Sequence, residues 1–308
     1  MEATFIPLSL AAGSLLAVQA GANAQLSKAI GSPFAATTVQ LAVGALLLFV
    51  FSGLTGSLDA LSALPGVTWW HALGGTASAF YVVSTLVLIV RLGAVVTVGL
   101  SIAGQILASV ALDATGALGI PQVAIEPHTA IGAGLVLAGA TAIVLGQSTG
   151  QPVTPSTASL RWAALALAAG AVLPVQGAVN SLLRAELQAA LAVATISFVV
   201  ATVTMAAVLA LSTFAGKGTP YSLSNLRRMP WWGWLGGFAG VIYVTTVFMA
   251  MPVIGAAAVV GFTVAGQQIA SVLVDRYGLL RLPRRKVSPL RLVGVVVLLA
   301  GVLFIKFF

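Results

Sequence analysis

The sequence has no cysteine, two histidines and few charged residues of either sign. Without cysteine the chain cannot form a disulfide or a thiolate metal site, and two histidines are too few for a metal site of their own. Charged residues make up only 6% of the 308 positions, whereas the surface of a soluble domain requires about a quarter. These absences exclude a soluble protein and predict that no metal is bound.

Several catalytic patterns are also missing. The sequence has no glycine-rich phosphate loop followed by lysine, so we do not expect ATP hydrolysis. It offers no plausible pair of nucleophile and base, so we expect neither an enzyme nor a bound cofactor. No Asp or Glu lies in the middle of an apolar run, which disfavours proton coupling through a buried carboxylate. Facilitated diffusion remains, as does coupling through Asp113, Asp275 or His71.

What the sequence has in abundance is apolar residues. They make up 59% of the chain, and the mean hydropathy is +1.09. Ten apolar runs of about 17 to 25 residues are long enough to cross a hydrocarbon core of about 30 Å as helices. The runs cover residues 5–25, 34–54, 69–90, 93–112, 129–147, 159–179, 187–213, 231–251, 253–274 and 290–306. The sequence therefore predicts an all-α integral membrane protein with ten transmembrane helices.

Two of these runs carry the same stripe of polar residues, one residue in every four. The stripe in the fourth run is Ser101, Gln105, Ser109 and Asp113, and the stripe in the ninth run is Thr263, Gln267, Ser271 and Asp275. Steps of four keep these side chains on one slowly winding face of a helix. The stripes belong to a longer repeat, in which residues 69–139 match residues 231–301 at an offset of 162 positions. Upstream, Gln19 and Asn23 match Gln176 and Asn180.

The repeat divides the chain into an N-terminal half, residues 1–150, and a C-terminal half, residues 151–308. Each half has five predicted helices, and an odd number forces the two halves into opposite orientations. The pattern therefore predicts two inverted five-helix repeats that together form one domain.

Basic residues agree with this inversion, because cytoplasmic loops collect Lys and Arg. Two basic residues, Arg184 and Lys306, fall on one side of the predicted topology, and the other twelve fall on the opposite side. These twelve are Lys28, Arg91, Arg161, Lys217, Arg227, Arg228, Arg276, Arg281, Arg284, Arg285, Lys286 and Arg291. We therefore expect both termini outside the cytoplasm, and we attribute the net charge of +8 to orientation rather than to nucleic acid binding.

The polar residues near the middle of the predicted helices are candidates for a substrate site. Gln105 and Gln267 each lie roughly 12 Å from the end of their run, which places both near the bilayer midplane. We predict that substrate is bound by Gln19, Asn23, Tyr81, Gln105, Gln176, Asn180, Tyr243 and Gln267. Tyrosine suits an amphipathic organic ligand because it combines a ring with a hydroxyl. For every residue of this set, packing between helices is the alternative.

The remaining stripe residues are candidates for gating or for lining a path to the site. They are Ser101, Ser109, Asp113, Thr263, Ser271 and Asp275. Serine and threonine have an alternative role, because their hydroxyls bond neighbouring helices or their own turn at about 1 kcal/mol each. Asp113 and Asp275 each end a helix just before a glycine, where a carboxylate can instead order the local loop.

Two motifs resemble a known family. They are Gln19-x-x-x-Asn23 followed by Gly31-Ser32-Pro33, and Ala103-Gly104-Gln105 with Ser109 and Asp113. Over nearly the whole chain the sequence resembles the YdcZ-like family of the drug/metabolite transporter (DMT) superfamily, in the fused form with two five-helix halves. The resemblance implies a multi-pass protein of the bacterial or archaeal inner (cytoplasmic) membrane that exports small metabolites or drugs by alternating access. The second half departs from the motif, with Gln188-Ala189-Ala190 in place of the Gly-Ser-Pro turn.

Two functions from different classes follow. The first is a secondary transporter of a small neutral or cationic organic solute, bound near the bilayer midplane between the two repeats. Its partners would be that solute and membrane lipid, without nucleic acid, and we expect a monomer, with a dimer as the alternative. The second is a membrane scaffold or assembly partner that transports nothing. The scaffold predicts dry, mutually bonded glutamines and no central cavity.

Overall fold

A computed structural model describes residues 2–124, 126–146, 157–216, 218–282, 284 and 287–307. These residues form ten long helices and contain no strand. The helices are α1 (Glu2–Ile30), α2 (Pro33–Leu54), α3 (Thr76–Leu92), α4 (Ala94–Thr115), α5 (Pro127–Gly146), α6 (Thr157–Leu187), α7 (Ala190–Phe214), α8 (Leu235–Ile254), α9 (Ala256–Tyr277) and α10 (Pro289–Phe307). All ten are long and apolar enough to cross a membrane, when α3 and α8 are counted with the short helices before them. The predicted all-α membrane fold is confirmed.

Short 3-10 helices lie in the connections. They cover Ser57–Gly66, Trp69–Gly75, Ala117–Gly119, Ser224–Arg228, Trp231–Trp234 and Leu279–Arg281. Those over Trp69–Gly75 and Trp231–Trp234 lead directly into α3 and α8, and they begin at the exposed tryptophans Trp69 and Trp231. Exposed tryptophans at the start of a membrane helix are typical of anchoring at the membrane interface.

The sequence placed the boundary between the sixth and seventh helices wrongly. It predicted a connection over residues 180–186, but α6 continues to Leu187 and α7 begins at Ala190. Residues 182–187 are Leu, Leu, Arg, Ala, Glu and Leu, all of which favour a helix. Because hydropathy marks where a helix leaves the membrane rather than where it ends, the apolar run was shorter than the helix. For the same reason α1 continues beyond residue 25 to Ile30.

The turn after α1 has an equivalent after α6, although the sequences differ. Gly31 has a positive φ of 89°, and Gln188, at the matching position, has a φ of 53°. A left-handed backbone is uncommon for a residue with a side chain. The Gln188 Nε2 donates to the Ala185 carbonyl at 2.6 Å, which satisfies one of the unpaired carbonyls at the end of α6. The second half therefore keeps the turn without the Gly-Ser-Pro sequence.

Helices α4 and α9 are bounded by matched glycines. Gly93 and Gly255 precede them with φ of 81° and 86°, and Gly116 and Gly278 follow them with φ of 64° and 66°. The backbone conformation at these positions thus repeats at the same offset of 162 positions as the sequence.

Helices of the two halves pack against each other in matching pairs. Helix α1 lies against α8 and α9, and α6 lies against α3 and α4. At Gly13 on α1 and Gly170 on α6 the backbones approach so closely that a Cβ atom would overlap the carbonyl of Thr263 or Ser101 respectively. Glycine at both positions allows a contact that alanine would block. The halves therefore interlock through α1 and α6.

The four remaining helices pair with their own equivalents. Helix α5 packs along α10, and α2 packs along α7. Of these, α2 and α7 face the centre of the bundle, whereas α5 and α10 cover the α4 and α9 side. This arrangement leaves the central space surrounded by the other eight helices.

Candidate functional site

A cavity of about 230 Å³ lies at the centre of the bundle, between α1, α2, α3, α4, α6, α7, α8 and α9. Seven of the eight residues predicted to bind substrate line it. They are Gln19, Asn23, Tyr81, Gln105, Gln176, Tyr243 and Gln267. The rest of the lining is uncharged, so the cavity is polar without carrying an ionised side chain.

The four glutamines do not bond to one another in the described part of the chain. The Gln105 Nε2 donates to the carbonyl of Ser101 at 3.4 Å, within its own helix. The Gln176 Oε1 accepts the Ser78 hydroxyl at 3.0 Å. The Gln19 amide lies beside Gly240, where a Cβ atom would come within 3.0 Å of its Nε2. Each of these amides therefore keeps hydrogen-bonding capacity that a bound solute can use.

Tyr81 on α3 and Tyr243 on α8 bring two aromatic rings to the same cavity. Each ring also packs against an apolar cluster: Tyr81 against the cluster of Leu88, Ala166 and Ala169, and Tyr243 against the larger cluster that contains Phe262. The two phenols are close enough to interact electrostatically, and the Tyr243 hydroxyl lies beside Thr263. Both alternatives considered for these residues, packing and cavity lining, therefore apply at once.

Several cavity residues were missed by the sequence analysis, among them Thr37, Gln40 and Phe198. Gln40 is 6% exposed, and its Oε1 has no hydrogen-bond partner among the described residues. The predicted residues were those that are identical in the two halves. Gln40 was missed because the equivalent position in the second half is Ser197. A signal was nevertheless present, because Thr37 and Gln40 lie three residues apart on one face of an otherwise apolar helix.

Asn180 is the one predicted binding residue that does not line the cavity. Its Nδ2 donates to the Ser197 hydroxyl on α7 at 3.1 Å, and the residue is fully buried. The amide oxygen lies against Gly74. These contacts join α6, α7 and the segment before α3, and they correspond to the packing alternative.

Asp113 connects two helices from different halves. Its Oδ1 accepts the backbone N–H of Ala256 at 2.6 Å, and its Oδ2 accepts that of Ala257 at 2.7 Å. A carboxylate at the N-terminus of a helix is favoured by the helix dipole and by the unpaired N–H groups there. The alternative in which the Asp113 side chain orders its own loop is therefore wrong. We call this contact between the end of α4 and the start of α9 the Asp113 cap.

Asp275, the equivalent residue in the second half, makes a different contact. Its Oδ2 forms an ion pair of 2.7 Å with the Nη1 of Arg291, whose Nη2 donates to the Ser271 hydroxyl at 2.9 Å. Arg291 is almost fully buried. From the sequence, Arg291 was counted with the basic residues of the loop before α10, although it lies within the predicted tenth run, and in the structure it lies inside α10. The matching position is Thr129, so the repeat could not reveal this pair.

Two of the other predicted path residues, Ser109 and Thr263, bond within their own helices. The Ser109 hydroxyl donates to the carbonyl of Ile106 at 2.9 Å, and the Thr263 hydroxyl to that of Val260 at 3.0 Å. Ser101 is buried, and its hydroxyl has no partner among the described residues. None of the three lines the central cavity. Asp113 lines a second space of about 480 Å³ at the end of α4, beside Glu2, His128 and Lys306.

Comparison with known proteins identifies the family. The family model DMT_YdcZ, described as "Putative inner membrane exporter, YdcZ", matches residues 4–142 and 161–304, nearly the whole chain. The chain belongs to the DMT_YdcZ family. Together with the ten membrane-length helices, this membership makes the protein a multi-pass inner membrane protein of the transporter class.

A solved structure described only as "Crystal structure of protein" resembles this DMT_YdcZ protein in fold. The two share 16% sequence identity and superpose with a TM-score of 0.68 over 98% of this chain and 95% of the other. No curated protein matches the sequence. The resemblance inferred from the Gln19 and Gln105 motifs is thus confirmed by the family match, which carries a functional class, whereas the structural likeness concerns the fold alone.

Proposed function

We propose that this protein is a secondary transporter that exports small neutral or cationic organic solutes by alternating access. The observation that carries the proposal is the uncharged polar cavity at the centre of the bundle, lined by helices of both halves. Inverted-repeat transporters hold their substrate near the bilayer midplane between the repeats. The cavity holds amides and tyrosines there, and these groups can bind a polar organic molecule.

The lining chemistry limits the solute. A charge that is buried without a partner is strongly unfavourable, and no cationic side chain lines the cavity. An anion would therefore have no compensating charge. A cation would have the faces of Tyr81 and Tyr243, which attract positive charge, in addition to the amide oxygens.

The proposed transporter consists of two inverted five-helix repeats, residues 1–150 and 151–308. Support comes from the matched sequence, the matched glycine conformations around α4 and α9, and the matched contacts of α1 and α6. With the basic loops in the cytoplasm, both termini lie outside. The Asp113 cap then lies at the outer end of the bundle.

The two aspartates are proposed as the gates. The Asp113 cap holds α4 and α9 together at the proposed outer end. The equivalent contact at the inner end would join Asp275 to the first backbone N–H groups of α4, but the Oδ2 of Asp275 is bound to Arg291. The other carboxylate oxygen has no described bond, so Asp275 can form that contact while keeping Arg291. Alternation between the two caps would open one end of the cavity as it closes the other.

The alternative function, a scaffold that transports nothing, is less well supported. It predicts glutamines that bond to one another around a dry centre. Among the described contacts no bond joins two of the four glutamines, and the central cavity has room for a small molecule. The Asn180–Ser197 pair is the kind of contact that a scaffold would have throughout.

The double substitution Gln105→Ala with Gln267→Ala tests the proposed function. A thermal-shift screen of metabolites with the purified protein would first identify a solute, and flux would then be measured in proteoliposomes. We expect the double variant to lose at least about tenfold in flux, because each amide contact with the solute is worth about 1 kcal/mol or more. Gln122→Ala is the control, since Gln122 is an exposed glutamine outside the cavity. Unchanged flux in the double variant would exclude these residues from the site.

A further inference from the structure

Two buried acceptor atoms in the central cavity lack a hydrogen-bond partner among the described residues. They are the Oδ1 of Asn23 on α1 and the Oε1 of Gln40 on α2. A buried acceptor without a donor is unfavourable by about 1–3 kcal/mol. Both residues line the same cavity, from adjacent helices that pack against each other.

Neighbouring groups fix the orientation of the Asn23 amide. The Thr37 hydroxyl donates its hydrogen to the carbonyl of Pro33 at 2.9 Å. It can therefore only accept from Asn23, whose Nδ2 lies 3.4 Å away. If the amide were rotated by half a turn, its oxygen would face the oxygen lone pairs of Thr37. The amide nitrogen is thus used by the protein, and the oxygen remains for a ligand.

The Gln40 amide is held against the neighbouring helix. It lies on Gly236 of α8, where an added Cβ atom would come within 3.0 Å of the Gln40 Cδ and 3.2 Å of its Nε2. Glycine at this position leaves space for the amide between α2 and α8. Gln40 is also more than nine-tenths buried, so bulk water does not replace the missing donor.

The second half of the chain has no such pair of free acceptors in the cavity. The residues at the positions equivalent to Asn23 and Gln40 are Asn180 and Ser197, where the Asn180 Nδ2 donates to the Ser197 hydroxyl and the Asn180 Oδ1 is buried without a partner among the described residues. They lie outside the cavity lining. The cavity is therefore chemically asymmetric, with unpaired acceptors on the α1 and α2 side only.

We propose that Asn23 and Gln40 form an acceptor subsite that selects neutral solutes carrying N–H or O–H donor groups, such as primary amides. The inference rests on the proposed transport function and specifies its substrate class. A donor group would bond to the Asn23 Oδ1 and the Gln40 Oε1, while Tyr81 and Tyr243 contact the apolar part of the solute. The cavity has no carboxylate to balance an ionised ammonium group, which favours a neutral donor over a cation.

Benzamide and N,N-dimethylbenzamide test this subsite, because both are neutral and aromatic and only the first has amide hydrogens. Binding to the purified full-length protein would be measured by calorimetry, with benzylammonium as a cationic probe. We expect benzamide to bind at least about tenfold more tightly than its dimethyl analogue, since two buried acceptors gain donors. Gln40→Met, which keeps the length of the side chain, should reduce this ratio severalfold, because only the Asn23 acceptor then remains.

Two further variants separate recognition from misfolding. Thr37→Val removes the group that orients the Asn23 amide, so it should lower the benzamide preference without altering the elution profile in size exclusion. Thr38→Val is the matched control, because the Thr38 hydroxyl donates to Phe34 and does not line the cavity. Its preference should equal that of the unmodified protein.

Three outcomes would overturn the subsite. They are equal binding of the two amides, a preference that Gln40→Met leaves undiminished, and no binding by any probe. Tighter binding of benzylammonium than of benzamide, weakened by Gln40→Met, would show a cation subsite instead. Measuring flux separates failure of the subsite from failure of the transport function. If solutes are transported without a preference for donor groups, only the subsite is overturned. If benzamide binds selectively but no flux occurs, only the transport function is overturned.

Discussion

At the scale of single residues, equivalent positions in the two halves carry different contacts. Asp113 caps α9, whereas Asp275 pairs with Arg291. Asn23 lines the central cavity, whereas Asn180, which bonds to Ser197, lies outside the cavity lining. A repeat that was symmetric in these contacts would have no reason to prefer one state. Under the proposed alternating access, these differences would favour the state in which the Asp113 cap is formed.

The ion pair between Asp275 and Arg291 gives the first residue-scale prediction. Removing one partner of a buried pair leaves an uncompensated charge, which is unfavourable by about 3–5 kcal/mol, and less where a partner is partly exposed, as Asp275 is. We expect Asp275→Asn to lower the melting temperature in detergent. The double variant Asp275→Asn with Arg291→Met should recover most of that loss, because it removes both charges.

Asp59→Asn is the control for this prediction, since Asp59 is an exposed aspartate in the connection after α2. The Asp59→Asn variant should have the same melting temperature as the unmodified protein. If the double variant is no more stable than Asp275→Asn alone, the buried charge of Arg291 is not compensated by Asp275.

Much of the candidate site was predictable at this scale, because buried polar residues are rare in an apolar sequence. Repetition of Gln105 as Gln267 indicated a shared centre, and both residues line the cavity. Gln40 and Arg291 were missed because their equivalents are Ser197 and Thr129. Comparison of the two halves identifies residues that both halves share. It cannot identify a contact whose residues occur in one half only.

At the scale of helices, the close contacts of α1 with α9 and of α6 with α4 connect the two halves. The sequence predicted the ten helices, since a membrane span requires a long apolar run. It did not predict which helices pair, because apolar side chains in lipid specify no partner. Gly13 and Gly170 became informative only when the opposing carbonyls of Thr263 and Ser101 were known.

These glycine contacts give a prediction at the same scale. Gly13→Ala and Gly170→Ala should each lower the melting temperature, because the added methyl group overlaps a backbone carbonyl and overpacking is unfavourable by about 1–3 kcal/mol. Gly134→Ala is the control, as a Cβ atom there meets nothing within 4 Å. That variant should be neutral or stabilised by up to about 1 kcal/mol. A loss at Gly134 equal to that at Gly13 would contradict the contact-based explanation.

At the scale of the whole molecule, the orientation of the chain in the membrane decides which side of the cavity the Asp113 cap closes. The proposed orientation puts the side of the topology that carries twelve basic residues in the cytoplasm. A phosphatase reporter fused after residue 308 should therefore be active, because that enzyme works only outside the cytoplasm. A cytoplasmic reporter such as green fluorescent protein at the same site should be dark when exported unfolded, and bright fluorescence would reverse the orientation.

Alternating access through the central cavity is the central claim, and cysteine labelling tests it most directly. The chain has no cysteine, so a single introduced thiol reports without background. Ala20 lines the cavity, and Leu46 is an exposed apolar residue of α2 outside the cavity lining. A membrane-impermeant maleimide should label Ala20→Cys both in spheroplasts and in inside-out vesicles, and Leu46→Cys in neither.

Adding Asp113→Asn to Ala20→Cys sharpens the measurement. An amide has one oxygen to accept hydrogen bonds where the carboxylate has two, and it lacks the charge that favours the N-terminus of α9. We expect labelling from the outside to rise relative to labelling from the cytoplasmic side. Labelling of Ala20→Cys from one side only, or from neither, would contradict alternating access through this cavity.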